Sequence, residues 1–162
     1  MSNARDILAQ GLLAGFAGKS VFGTAVRGGF SLTSSEVKFP GADAHYIDQW
    51  IGIQSGGGQE IAKAGIETIT RVYAGGTVSH EILEGLGIQE NEIMSYLKEK
   101  LSTLVGVTRL TSAIDPITDG DWRYAYEIVD EISDIRLTIG KETIWYKDTA
   151  VFTHVFLTTL VV

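Results

Sequence analysis

Outside two helical segments, this chain is written in a period of two from Phe30 onward. That pattern restricts its fold more than any other feature. Side chains of an extended strand point alternately to opposite faces, so apolar-polar alternation marks a strand with one covered face. FSLTSSEVKF runs to a turn signal at Pro40-Gly41. HYIDQWIGI then sets His45, Ile47, Gln49, Ile51 and Ile53 against Tyr46, Asp48, Trp50 and Gly52. One set is largely aliphatic; the other holds two large aromatics with an acid between them. QSGGG reads as the next connection, and QEIAKA and IETITRVYAGG as short strands around Gly65. Towards the C-terminus DWRYAYEIVDEI, DIRLTI, ETIWY and AVFTHVFLTTLVV read as strands, the last following a tight Lys147-Asp148 turn. Both alternating sets of that last strand are largely apolar, so both its faces are expected to be covered, centrally in the sheet or at a subunit interface. With 19 glycines and only two prolines, turns and bulges are expected in place of linkers.

Two stretches depart from this period. Asn3 can cap a first helix with Asp6 in its first turn, and Leu8, Leu12 and Phe16 recur every four residues beside Ile7 and Leu13. Gly18 is the expected stop, and interior Gly11 and Gly15 make the helix depend on docking. GFAGKSVFGTAVRGG after it reads as irregular. Ser79 is an N-cap signal for HEILEGLG. Gln89 to Leu104 gives the strongest helix, with Ile93, Leu97, Leu101 and Leu104 on one stripe, Glu90 and Glu92 early, and Lys98 and Lys100 late. The order helix, strands, helix, strands predicts one α+β domain over residues 1–162, a mostly antiparallel sheet packed by the N-terminal and central helices. No repeat or internal boundary is evident.

A net charge of −7 with scattered basic residues argues against nucleic acid and anionic membranes, which bind through clustered Lys and Arg. The absence of cysteine removes disulfides and thiolate chemistry, and a cytoplasmic location is the natural reading. ILAQGLLAGFAG only faintly suggests a leader, and no run approaches the ~20 apolar residues needed to span a bilayer. Ser2-Asn3-Ala4 has the look of a cloning remnant.

Tyr46-x-Asp48-x-Trp50-x-Gly52, followed by Gly58-Gln59-Glu60, resembles a family of small bacterial domains, domain of unknown function 5680. Tyr73 and Gly75 match the end of its Tyr-Tyr-Gly strand. Gly120-Asp121-Trp122 match its Gly-Asp-aromatic step, and Tyr146-Lys147-Asp148 stand where it has Tyr-Lys-Gly. Glu67 to Val72 replace the family's Trp-x-Met-Asn, and Gly56-Gly57 replace a loop aromatic. The resemblance implies a fold, and a shared site whose pocket is altered here. It implies no activity. Relatives carrying helix-turn-helix segments hint at sensing or regulation.

Asp48 and Glu60 lie on strands that would pair through a short loop. They could form a carboxylate pair, bind a cation, or accept hydrogen bonds from a ligand; equally, Asp48 could anchor a turn and Glu60 be solvated. The candidate ligand-binding cluster is Tyr46, Asp48, Trp50, Gln59, Glu60 and Tyr73. It is weighted towards structure or binding and away from catalysis, because no nucleophile or second base adjoins it. The expected protein is a non-enzymatic module for a small molecule or protein partner, homo-oligomeric, without cofactor or metal. The alternative is a hydrolase or isomerase using Asp48 or Glu60.

Weaker signals each have an ordinary reading. His80 and Glu84 mimic a zinc helix, with His45 or His154 as a third ligand, but suit a surface capping segment. Asp115, Asp119 and Asp121 lack calcium-loop spacing. Gly56 to Gly58 lack the helix and cation of a phosphate loop. His154, mid-strand, reads as a satisfied core or interface histidine.

Overall fold

The computed structural model describes residues 3–18 and 21–161. Ser2 of the suspected remnant, Lys19 and Ser20 of the segment read as irregular, and Val162 of the last strand lie outside them.

Helix α1 (Ala4–Ala14) opens on the expected Asn3 cap, where Asn3 and Asp6 exchange side-chain and backbone bonds in a capping box. It stops at Gly15, three residues before the expected Gly18. There a Cβ would stand 2.6 Å from Ser35 Oγ. Gly11 is in the helix for contact: a Cβ at that position would fall 2.1 Å from the Tyr46 ring. The glycine weakens the isolated helix but lets its backbone lie against the sheet.

Five strands follow: β1 (Gly23–Arg27), β2 (Phe30–Lys38), β3 (Ala44–Gly52), β4 (Ser55–Ala64) and β5 (Glu67–Thr77). Next come α2 (His80–Leu86), capped by Ser79 and closed by Gly87, and α3 (Glu90–Thr103), flanked by Gln89 and Leu104 as expected. The remaining strands are β6 (Ile114–Asp119), β7 (Trp122–Ile132), β8 (Leu137–Tyr146) and β9 (Thr149–Val161). All nine form one antiparallel sheet in the order β1-β2-β3-β4-β5-β9-β8-β7-β6. The chain is therefore α+β with a wholly antiparallel sheet, α1 packing on β3 and β4.

Two expectations need correction, and one strand stands where the sequence was given no reading. GTAVR is not irregular: it pairs with β2 through a Gly28-Gly29 turn in which both glycines have positive φ. SGGG is not a connection: Gly56, Gly57 and Gly58 belong to β4, paired with β3 on one side and β5 on the other. Glycine carries no side chain to display alternation, so it reads as loop. Ile114–Asp119 forms edge strand β6, where Pro116 is tolerated because an edge residue can lack a ladder donor.

A single core joins Ile7, Leu8 and Leu12 of α1, Ile93, Leu97 and Leu101 of α3, and Tyr46, Tyr124 and Phe156 of the sheet. β9 does lie centrally, between β5 and β8. Only one of its faces is covered, however, since Val155 and Leu157 are exposed on the other. Ile51 and Val72 are exposed likewise.

The sheet has a repeat that the sequence conceals. β2–β5 and β6–β9 are two four-stranded meanders that meet where β5 pairs with β9. At the junction Tyr73 faces Phe156, with Arg71↔Thr158 and Gly75↔His154 equally spaced on either side. This register sets Arg71 in correspondence with His154. Across the next ladder Glu60↔Arg71 corresponds to Glu142↔His154, and Gly58↔Tyr73 to Gly140↔Phe156. One strand further out, Asp48↔Glu60 corresponds to Tyr126↔Glu142, and Tyr46 to Tyr124.

Candidate functional site

The buried floor of the sheet holds two charged pairs. Glu60 Oε2 accepts from Arg71 Nε at 2.5 Å, and Oε1 accepts from Arg71 Nη2 at 2.8 Å and the Tyr46 hydroxyl at 2.7 Å. In the other meander Glu142 receives Arg109 Nε at 3.0 Å, Arg109 Nη2 at 2.5 Å and the Tyr124 hydroxyl at 2.7 Å. Each is a forked guanidinium–carboxylate pair closed by a tyrosine, the arrangement a buried charge needs to offset desolvation. The pairs touch: Arg71 Nη1 donates to the backbone carbonyl of Arg109 at 2.5 Å, and both guanidiniums lie over the Phe156 ring. Burial alone would raise the Glu60 carboxyl, but Arg71, with Arg109 and the Tyr46 hydroxyl, holds it below the usual carboxylate value. Glu60 is thus a fully committed anion.

Asp48 is different. It is 97% buried, with 3% of its surface accessible. Its Oδ1 accepts from the Tyr73 hydroxyl at 3.0 Å, and among the hydrogen bonds of the described residues Oδ2 has none. Burial, and then the neighbouring Glu60 anion, raise its pKa from 3.8 to about 8; the Tyr73 bond and the two arginines only moderate this. Asp48 therefore carries a proton at neutral pH and titrates just above it.

Asp48 lines a cavity of about 120 Å³ between α1, α3 and the sheet. Its apolar walls come from Leu12 and Phe16 on one side and Met94 and Leu97 of α3 on the other, with Trp50 and Phe152 on the sheet. Trp50 is held edge-to-face between Phe16 and Phe22, at 6.2 and 5.2 Å. Tyr73 and His154 complete the polar end, their rings 5.4 Å apart. Burial lowers the His154 pKa to about 4, with Arg109 adding to the effect, so the ring is neutral. Its Nδ1 is buried without a hydrogen-bond partner. His154 is thus not the satisfied core histidine expected from the sequence.

Of the six predicted site residues, Asp48, Trp50, Glu60 and Tyr73 reach the cavity. Tyr46 lies below it, bonded to Glu60 and covered by α1. Gln59 belongs elsewhere and is a correction. Its amide donates to Thr70 Oγ1 at 3.0 Å and accepts from Arg27, on the open face of the sheet. Neighbours on a strand point to opposite faces, so Gln59 and Glu60 cannot share one.

The weaker signals separate in space. His80 pairs with Glu84 at 3.2 Å on the exposed side of α2, His45 pairs with Glu36, and His154 is in the cavity. Asp119 is bonded to Tyr96 and Lys100. Among the described residues no group of three or more His, Cys, Asp or Glu is placed to hold a metal ion, and no helix is long and apolar enough to cross a membrane. Arg71 could have been found by its place in the inward alternation Ile69, Arg71, Tyr73; Arg109, in a turn after α3, gave no such sign.

The fold and site together define an α+β domain with a cavity roofed by helices and a buried carboxyl in its floor. Compared with known proteins, the chain matches no family model, no curated protein and no solved structure.

Proposed function

We propose that this domain binds a small molecule in the cavity between α1, α3 and the sheet, with Asp48 and Tyr73 as the recognising groups. The carrying observation is Asp48. A carboxyl 97% buried, with one oxygen bonded and the other open to a cavity lined by aromatic side chains, is a costly arrangement that a ligand's hydrogen bond would complete. Native mass spectrometry of the protein as purified, followed by a fragment screen read by chemical shifts of Trp50, tests this. Retained mass or fragments perturbing Trp50 and Tyr73 together support it. Fragments that bind only elsewhere would refute it.

Acid/base catalysis is the second reading, favoured by an Asp48 that titrates at about pH 8 inside the cavity. In that reading Asp48 is the acid and Glu60 is structural, because both Glu60 oxygens are already occupied. Self-association is proposed through the open sheet face, where Ile51, Val72, Val155 and Leu157 are exposed. Kinship with the domain of unknown function 5680 is proposed on the Tyr46–Gly52 and Gly58–Glu60 motifs.

A further inference from the structure

Resting on the small-molecule reading above, we infer that the cavity takes a small organic cation, a primary ammonium on an apolar or aromatic body, with Asp48 as its counter-ion. The charges around Asp48 decide the sign. From β4 it faces Glu60 and from β5 Arg71, which neutralise each other; Arg109 and Glu142 do the same beyond them. Tyr46 and Tyr73 are neutral hydroxyls, and His154 of β9 is a neutral ring. Arg109 is the only cationic side chain lining the cavity among the described residues, and it is tied to Glu142. Glu90 stands on the α3 side, and with Glu92 it offsets the positive end of that helix. An anion would therefore meet the Glu90 charge and, among the lining residues, no unpaired cation to receive it.

An ammonium would meet acceptors. Asp48 Oδ2 is open, and the imidazole of His154, whose Nδ1 has no partner, offers a lone pair. The rings of Trp50, Phe16 and Phe152 line the same space, and Lys98 already lies over the Phe16 ring at 5.2 Å, as cations do over aromatic side chains. The apolar body of the ligand would lie against Leu12, Met94 and Leu97. On binding, the Asp48 proton passes to solvent and the carboxylate pairs with the ammonium. At neutral pH the complex forms with the release of one proton.

The test is isothermal titration of the full chain with benzylamine and phenethylamine, and with the hydroxyl counterparts benzyl alcohol and phenethyl alcohol. It is run at pH 6, 7 and 8 in two buffers of different protonation enthalpy. Amine affinity should rise about tenfold from pH 6 to pH 7 and about fivefold more to pH 8, following the ionised fraction of Asp48. Close to one proton should be released at pH 7. Asp48→Asn should weaken the amines at least about tenfold at pH 8 and weaken the alcohols, which lose no charge pair, clearly less. Amine affinity that is flat or falls with pH, or is indifferent to Asp48→Asn, overturns the inference. If the alcohols bind and the amines do not, the cavity reading stands and the cation is wrong. If neither class binds at millimolar concentration, both fall. Proton release by the unaltered protein decides the matter even if the variant does not fold.

Discussion

The two meanders hold the same Tyr–Glu–Arg cluster and differ at the next inward position. In the C-terminal meander that position is Tyr126, whose ring lies over Gly140; a Cβ there would fall 2.0 Å from the Tyr126 hydroxyl. The hydroxyl itself donates to the Leu110 carbonyl at 3.0 Å. In the N-terminal meander the corresponding residue is Asp48, too short to cover the equivalent Gly58. Tyr73 leans over that glycine from the inner strand instead, its hydroxyl 2.6 Å from where a Cβ would be. Above Asp48 there is space, and that space belongs to the cavity. One meander is thus filled by a tyrosine, and the other carries a titratable group at the same register.

If the clusters are equivalent supports, breaking either should cost alike. Arg71→Leu and Arg109→Leu are each expected to destabilise by about 3–5 kcal/mol in urea unfolding, because each strands a buried carboxylate. The double variant should fall short of the sum, since Arg71 hangs on the Arg109 carbonyl. Additive losses would show that the clusters act apart.

The next largest effect separates the meanders by pH. Asp48 keeps its proton to about pH 8 in the folded chain, against an ordinary value of 3.8. Between those values the folded state binds more protons than the unfolded, so this contribution to stability is full in acid and is lost as pH rises towards 8. Relative to Asp48→Asn, the unaltered protein should lose about 2–3 kcal/mol between pH 5.5 and 7.5, measured by denaturation midpoints. Parallel curves would remove the contrast with Tyr126.

The smallest effect sharpens it. Tyr126→Phe should cost about 1 kcal/mol, the net value of one hydrogen bond to a carbonyl. Tyr73→Phe should cost similarly and also raise the Asp48 pKa further, since it removes a bond that favours the carboxylate. The carboxyl chemical shift of Asp48 followed against pH reads this directly.

How much was legible in the sequence follows from what each residue displays. β3 and α3 were plain because their side chains carry the period. Asp48 and Tyr73 were both singled out, and the offset between their strands brought them together. The pairing of Gln59 with Glu60 as site residues failed on strand geometry alone. The glycines of β4 hid a strand because their reason is another residue's bulk, the Tyr73 hydroxyl against Gly58. The repeat escaped notice because the meanders share few residues at matched register (Tyr46 with Tyr124, Gly58 with Gly140, Glu60 with Glu142, Thr70 with Thr153, Val72 with Val155), and their arginines arrive differently: Arg71 from a strand, Arg109 from a turn.

The position of β9 has a consequence for how the molecule assembles. The last strand in chain order is the seam between the meanders, so until it arrives β5 and β8 each present a bare edge. Phe156, on which both arginines rest, arrives with it. Closure therefore waits on contacts between residues far apart in the chain, such as Thr68 with Val161, a topology that slows folding. A chain halted before this strand would display two sticky ribbons, a target for chaperones and a seed for aggregation.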